Sequence, residues 1–214
     1  MKNDLIRRSY LCEVRAEGDG GNVIVGRPIV YDRATDICGY FEEIIERGAL
    51  DGADLTDVRF LVNHDTSRIP LARSRRNNGN STMQLLIDDE GLNIRAQLDV
   101  ENNSEARALY SAVQRGDISG MSFMFSIDTD EWEKQDTDYP TRRIKKIASV
   151  VEVSAVTFPA YEQTEISTRS AKELESARAL LESMKNARSN KPVETGDNTE
   201  LELLKLKINL LGGF

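Results

Sequence analysis

Three polar residues of this 214-residue chain, Ser122, His64 and Glu152, have the side chains that acyl transfer by a serine nucleophile requires. A serine hydroxyl is a poor nucleophile until a neighbouring imidazole accepts its proton, and a third group must hold that imidazole in the productive tautomer. His64 is the only histidine of the chain, so any histidine acid–base step has to use it. The three residues are far apart in sequence, and whether they meet depends on the elements that carry them.

Ser122 lies in an alternating apolar stretch, Ile118 to Phe125, that predicts a β-strand. Side chains alternate along a strand, so Met121 and Phe123 share a core face and Ser122 lies on the opposite face. Gly120 shares the face of Ser122 and leaves room for a backbone to approach closely. This arrangement suits a nucleophile, while a sandwich or barrel strand with solvent-facing serines is the simpler alternative.

His64 and Glu152 are associated with two further predicted strands. His64 follows the alternating segment Asp57 to Val62, and strand ends with the loops after them are where functional sites concentrate. A lone histidine is, however, more often a packed or surface residue. Glu152 lies between valines within the predicted strand Thr141 to Thr157, and its carboxylate should be exposed or paired because an isolated buried charge is costly.

The remaining elements are mostly short strands with turn signals. Two hairpins are predicted, one pairing Ser9 to Ala16 with Asn22 to Tyr31 and one pairing Thr82 to Ile87 with Gly91 to Val100. These strands and the three above make the predicted fold class mainly β with helices (α+β).

Helical spacing over Asn102 to Arg115 predicts a helix, with Asn103 or Ser104 as its cap and Gly116 as its stop. An acidic, flexible loop is predicted for Asp128 to Asp138. The acidic residues Glu42, Glu43 and Glu46 are interpreted as solvated, because charged residues usually stay exposed.

The composition excludes several classes of function. The chain has 36 acidic and 28 basic residues and a net charge of -8, so we expect no nucleic-acid partner. Cys12 and Cys38, with one histidine, are too few for a structural zinc site, and we expect reduced thiols, no metal and no cofactor. No apolar run approaches the ~18 residues of a membrane span, and Met1 to Tyr10 lacks a signal-peptide core, so we expect a soluble intracellular protein without a membrane partner.

Residues 1–165 are predicted to form the β domain, and residues 166–214 a helical, partly disordered tail. Apolar residues recur at helical spacing from Ser170 and again over Glu200 to Leu211, with a linker near 188–198 that contains Pro192 and Gly196. Such detached amphipathic helices suit partner docking or self-association.

Four motifs occur in order along the chain: Glu42-Glu43-Ile44 with Arg47-Gly48-Ala49-Leu50, Asn63-His64-Asp65, Gly120-Met121-Ser122-Phe123, and the segment from Glu152 to Tyr161. Together they resemble the prohead (capsid maturation) proteases of tailed phages, over roughly residues 10–165. That family is similar in fold and mechanism to the herpesvirus assemblins, which are serine proteases. The resemblance therefore implies a closed antiparallel β-barrel surrounded by helices.

The resemblance implies that Ser122 is the nucleophile and His64 the general base. Assemblins use a second histidine as the third member, which this chain lacks. Glu152 occupies the corresponding place, and Asp65 and Ser154 are the alternatives. An assemblin-type paired arginine is not apparent after Tyr161, so backbone N–H groups are the expected oxyanion donors.

The implied function is cleavage of scaffold and capsid-protein segments, and of the protease itself within Arg188 to Asn198, during head assembly. This would take place in the host cytoplasm, inside the phage prohead. By analogy with assemblins the active form is a homodimer. Two alternatives are a non-enzymatic scaffold or head-assembly protein, and a barrel that binds a peptide or small ligand without cutting it.

Overall fold

The computed structural model describes residues 5–10, 14–17, 22–157, 175 and 178–186. The chain divides into two compact units, Met1–Arg178 and Ala179–Phe214. Eleven strands and one helix are assigned within the described part of the first unit: β1 (Ile6–Tyr10), β2 (Val14–Glu17), β3 (Val23–Val30), β4 (Thr35–Ile37), β5 (Phe41–Ile45), β6 (Asp57–Val62), β7 (Ala72–Arg75), β8 (Met83–Asp88), β9 (Gly91–Gln97), α1 (Ser104–Arg115), β10 (Gly120–Glu133) and β11 (Thr141–Val156). Residues 178–186 are helical, and the predicted mainly β fold with helices is confirmed.

The strands form two sheets that share one apolar core. The larger sheet has the order β1-β10-β11-β5-β4, with β6 paired to β11 and β7 paired to β6. The smaller sheet has the order β2-β3-β9-β8. Fully buried side chains from both sheets, such as Ile24 and Leu92 on one and Phe60 and Phe123 on the other, belong to a single hydrophobic cluster. Burial of this cluster supplies the main driving force for folding.

The antiparallel pair β10 and β11 is the longest in the domain, running from Gly120↔Val156 to Glu133↔Thr141. The predicted loop at Asp128 to Asp138 is therefore wrong over 128–133, which continue β10. The acidic side chains of this half find partners across the hairpin, because Arg142 Nε lies 2.6 Å from Asp130 Oδ2 and Arg143 Nε lies 2.7 Å from Glu133 Oε1. This half of β10 lacks the alternation of apolar and polar residues from which a strand is predicted.

The predicted single strand from Ser9 to Ala16 is also wrong. The structure assigns its two ends to different sheets, since β1 pairs with β10 and β2 pairs with β3. The hairpin prediction holds for β2 and β3. Local alternation could not distinguish these cases, because the partner of β1 is more distant in sequence than any hairpin can reach.

Two parallel pairs depart from the all-antiparallel expectation. β11 pairs in parallel with β5 along its first half and with β6 along its second half, where Ser154 lies beside Leu61 and Ala155 beside Val62. Parallel pairing requires a long crossover connection, and the chain between β6 and β11 provides one. As a result, the residues that follow β6 lie next to the C-terminal half of β11.

The predicted helix before β10 is confirmed as α1. Asn103 is its N-cap, with its side chain accepting hydrogen bonds from the backbone N–H groups of Glu105 and Ala106. Gly116 ends the helix at φ 78°, a left-handed conformation that favours glycine. Leu109 and the other apolar residues of one face are buried, so α1 covers part of the core and fixes the point where β10 begins.

Several predictions concern residues outside those described. The boundary at 165/166, the linker near 188–198 and the helix over Glu200 to Leu211 all lie there and stay predictions. Within residues 5–157 and 178–186, as far as they are described, no helix is long and apolar enough to cross a membrane.

Candidate active site

The structure brings Ser122, His64 and Glu152 together in one row. Nε2 of His64 lies 2.5 Å from Oγ of Ser122, and Nδ1 of the same ring contacts Oε1 of Glu152. The sequence of groups is therefore hydroxyl, imidazole, carboxylate. This is the order in which an imidazole can take a proton from a serine while a carboxylate fixes the ring and stabilises its charged form.

Three adjacent strands position these groups. In the β10–β11 pair, Ser122 is opposite Ser154 and Met124 is opposite Glu152, so Ser122 and Glu152 are diagonal neighbours on one face. β6 pairs in parallel with the other side of β11, and His64 follows two residues after the end of β6. Proximity of the three side chains thus follows from the register of the sheet.

The turn that carries His64 has an unusual backbone. Asn63 and His64 have φ angles of 51° and 57°, in the left-handed region that residues other than glycine seldom adopt. Asn63 is held there by its backbone N–H, which donates to the Ala155 carbonyl over 2.9 Å, and by a two-way contact with Thr157. In that contact the Asn63 side-chain amide donates to Thr157 Oγ1 and accepts from the Thr157 N–H, each over 3.0 Å. Such locally strained conformations recur at functional sites, where surrounding contacts maintain them.

Ser154 and Asp65, the alternatives for the third member, contact other groups. The Ser154 hydroxyl donates to Oε2 of Glu152 over 2.6 Å and accepts the backbone N–H of His64 over 3.1 Å. Asp65 Oδ1 accepts the Ser67 hydroxyl over 2.5 Å. Because the two ring nitrogens of His64 face Ser122 and Glu152, the third position of the row is occupied by Glu152.

The site is more enclosed than the sequence indicates. Ser122 is 0% exposed, and the side chains of His64 and Glu152 are 10% and 3% exposed. The interpretation of Ser122 as a solvent-facing serine is therefore wrong. The reason is β1, which pairs with β10 across Ser122 and places the carbonyl oxygen of Arg8 2.7 Å from Ser122 Oγ.

Arg8 also forms an ion pair with the buried carboxylate of Glu43, which sequence reasoning missed. Its guanidinium contacts Glu43 through two hydrogen bonds, of 2.5 Å from Nε to Oε1 and 2.9 Å from Nη2 to Oε2. Arg142 Nη1 adds a third contact of 3.3 Å to the Glu43 carboxylate. Burial raises the pKa of the Glu43 carboxyl, but the charges and hydrogen bonds of Arg8 and Arg142 outweigh this effect and the pKa is lowered overall.

The solvated interpretation of Glu43 is consequently wrong, since this residue is 1% exposed. A charge is retained in the interior here because two guanidinium groups neutralise it. Neither contact of Glu43 had a sequence signal, because both arginines come from strands whose pairing is not local. Within the described ranges there is no group of three or more His, Cys, Asp or Glu side chains that could hold a metal ion.

Comparisons with known proteins point to one family. The profile of the family described as "Caudovirus prohead serine protease" matches residues 11–178. The chain is also 34% identical, over 159 residues, to the prohead protease of Enterobacteria phage HK97. That alignment covers 72% of this chain and 63% of the phage protein, so the chain spans less than two thirds of that relative's length. No solved structure matches the chain significantly.

Proposed function

The chain belongs to the caudovirus prohead serine protease family, and from this premise we propose that it is a serine endopeptidase of phage head maturation. Its substrates are scaffold and capsid-protein segments, and the chain itself, cut inside the prohead in the host cytoplasm. The observation that carries the proposal is the row of Ser122, His64 and Glu152. The relative from phage HK97 is itself a prohead protease, which supports the same conclusion.

The geometry supports a two-step acyl transfer. Ser122 Oγ attacks the carbonyl carbon of the substrate peptide while Nε2 of His64 takes the hydroxyl proton. Glu152 accepts a hydrogen bond from the Nδ1–H of His64, fixes the tautomer and stabilises the imidazolium. His64 then gives the proton to the leaving amine. Water attacks the carbonyl carbon of the acyl-enzyme while His64 takes the water proton, and His64 gives that proton to Ser122 Oγ as the acid product leaves.

Burial strengthens the contribution of Glu152. Its side chain is 3% exposed, so its charge acts on the imidazolium through a medium of lower dielectric than water. Ser154 satisfies the second carboxylate oxygen and keeps the first directed at the ring. Backbone N–H groups are the proposed oxyanion donors.

The finer features of the proposal follow the resemblance to assemblins, which is itself part of the proposal. The two sheets with their common core would close into a barrel of that type, and the active form would be a homodimer. The net charge of -8 argues against a nucleic-acid partner. Residues 166–214 are proposed as the tail that binds scaffold or is removed by self-cleavage.

The test is mass spectrometry of capsid and scaffold proteins co-expressed with the wild-type chain, Ser122→Ala or His64→Ala. Specific cleavage by the wild type should be lost in both variants. Ser126→Ala is the matched control, because Ser126 is a buried serine of the same strand that bonds Ser149 instead of His64. Cleavage that persists in both site variants would contradict the protease and favour a non-enzymatic head-assembly protein.

A further inference from the structure

Strand β1 lies across the proposed nucleophile in the manner of a bound peptide. It is an edge strand of the larger sheet. It pairs antiparallel with β10 from Ile6↔Phe125 to Tyr10↔Met121, so that Ser9 is opposite Ser122. Addition of an extended segment to a sheet edge is a common way for proteins to bind peptides. Here the chain supplies such a segment itself.

The backbone of β1 competes directly with the proposed base. The carbonyl oxygen of Arg8 lies 2.7 Å from Ser122 Oγ, and His64 Nε2 lies 2.5 Å from the same atom. A serine hydroxyl has one hydrogen and can donate it to only one of these acceptors at a time. While β1 is in place, the hydroxyl can therefore be drawn away from His64, and Ser122 is fully shielded from a second peptide.

The side chain of Arg8 anchors β1. Its two hydrogen bonds to Glu43 have the bidentate geometry that makes arginine–carboxylate pairs strong and specific. The side chain of Glu43 is 0% exposed, so loss of Arg8 would leave a buried carboxylate with less compensation. A segment that replaces β1 is therefore selected for a basic side chain at this position.

β1 is short and faces solvent in part. The strand has five residues; Arg7 and the preceding Leu5 are exposed, while Ile6 packs against the core. Short segments at a sheet edge with exposed hydrogen bonds belong to the parts of a protein that open at low free-energy cost. Displacement of β1 thus requires loss of the Arg8–Glu43 pair, of the Ile6 contact with the core and of the backbone pairing with β10, which a replacing strand would restore.

We propose that β1 is a displaceable occupant of the β10 edge to which extended peptide substrates bind, and that substrate segments carrying arginine or lysine at the position of Arg8 replace it. This inference rests on the proposed function, because it takes the β10 edge beside Ser122 as the substrate site. It adds a class of substrate, basic extended peptides, and a self-inhibited resting state.

The first test is a reversible disulfide between β1 and β10. Arg7 and Met124 are cross-strand partners, and such partners have Cα separations of about 4.5–5.5 Å, within the range that a disulfide spans. The double variant Arg7→Cys/Met124→Cys is made in the full chain with Ser122→Ala, so that binding is measured without hydrolysis. The probe is a fluorescent synthetic peptide with the sequence of residues 5–10, and fluorescence anisotropy reports its binding.

The reduced variant should bind the peptide, and oxidation should weaken binding by at least about tenfold, because the tethered strand no longer leaves. The single variants Arg7→Cys and Met124→Cys are the controls, and oxidant should leave their binding unchanged. Equal binding by the oxidised and reduced double variant overturns the proposal. A peptide that binds neither form overturns it as well.

The second test changes only the peptide. Replacing the arginine equivalent to Arg8 by glutamine should weaken binding by about thirtyfold or more, since a buried charge pair loses one partner. Replacing the arginine equivalent to Arg7, which is exposed in β1, should have little effect. Equal effects of the two replacements would overturn the role of Glu43.

Both tests measure binding, whereas mass spectrometry of co-expressed head proteins measures hydrolysis. Failure of this inference and failure of the proposed function are therefore distinguishable.

Discussion

The hydroxyl of Ser154 donates a hydrogen bond of 2.6 Å to Oε2 of Glu152, two residues earlier on the same strand. The same hydroxyl oxygen accepts the backbone N–H of His64 over 3.1 Å. One buried side chain thus connects the carboxylate that contacts the imidazole with the backbone that carries the imidazole. We regard Ser154 as a positioning residue for the proposed reaction.

Ser154→Ala should lower kcat by about tenfold to a hundredfold with little change in KM, because misplacement of the His64–Glu152 pair costs transition-state stabilisation and not substrate binding. Steady-state kinetics on a peptide substrate measures both constants. Ser126→Ala, which removes the buried Ser126–Ser149 hydrogen bond, should lower stability without changing kcat. Equal kinetic effects of the two variants would argue against a positioning role.

Glu152→Gln should lower kcat by about 10⁴-fold, because an amide of the same shape favours the wrong imidazole tautomer. The amide nitrogen donates to Nδ1 of His64 and leaves the hydrogen on Nε2, which then cannot accept the serine proton. Active-site titration with a fluorophosphonate, together with kcat, checks this expectation. If kcat of the variant stays within tenfold of the wild-type value, Glu152 is not the third member of the catalytic row.

Asn63→Ala should destabilise the domain by about 1 kcal/mol more than Asn63→Gly, because the left-handed backbone conformation is sterically unfavourable for alanine and not for glycine. Both variants lose the side-chain contacts with Thr157, so the difference between their unfolding free energies reports the cost of the backbone conformation alone. Urea unfolding gives the two free energies. Ala108→Gly in the exposed face of α1 is the control and should show the ordinary order, with glycine less stable by about 1 kcal/mol.

Stability should depend on pH through Glu43. Its pKa in the folded state is lowered below the ordinary value of 4.5, so its contribution is present above 4.5 and is lost as pH falls through the folded pKa. Glu43→Gln should cost about 3 kcal/mol or more near neutral pH, because Arg8 and Arg142 lose the buried carboxylate that both contact, although Arg142 keeps its pair with Asp130. The difference from wild type should narrow under acid conditions.

Urea unfolding of both proteins at about pH 7 and about pH 3, well inside the window below 4.5, measures this difference. A gap of the same size at both pH values would mean that the Glu43 carboxyl is not stabilised by the two arginines.

Sequence patterns located most elements whose contacts are local or whose two faces differ. β6, β8, β9 and α1 have an apolar face and a polar face, and their periods predicted them correctly. The second half of β10 has charged partners instead of an apolar face, so it was mistaken for a loop. The family itself was predicted from four motifs, and the match over residues 11–178 confirms it.

These patterns do not predict which strands pair when the strands are distant in sequence. His64 and Glu152 are 88 residues apart, and they meet because β6 and β11 are parallel, a register that neither strand encodes by itself. Arg8 carried no signal, since its position beside Ser122 and Glu43 depends on an edge strand paired across most of the domain. The residue types alone suggest Ser122, His64 and Glu152 as candidates, but only the order of the strands in the sheet explains why their side chains are in contact.

The sheet order has a consequence for the time at which this protein can act during its own synthesis. Arg8 and Ser122 are 114 residues apart, and β11, which carries Glu152, emerges from the ribosome after both. Contacts between such distant segments form late, because the closure of long loops precedes any gain from them. A nascent chain that has reached β10 already contains the serine and the histidine but lacks the strand between them. The proposed proteolytic activity therefore has to wait until translation of the domain is nearly complete.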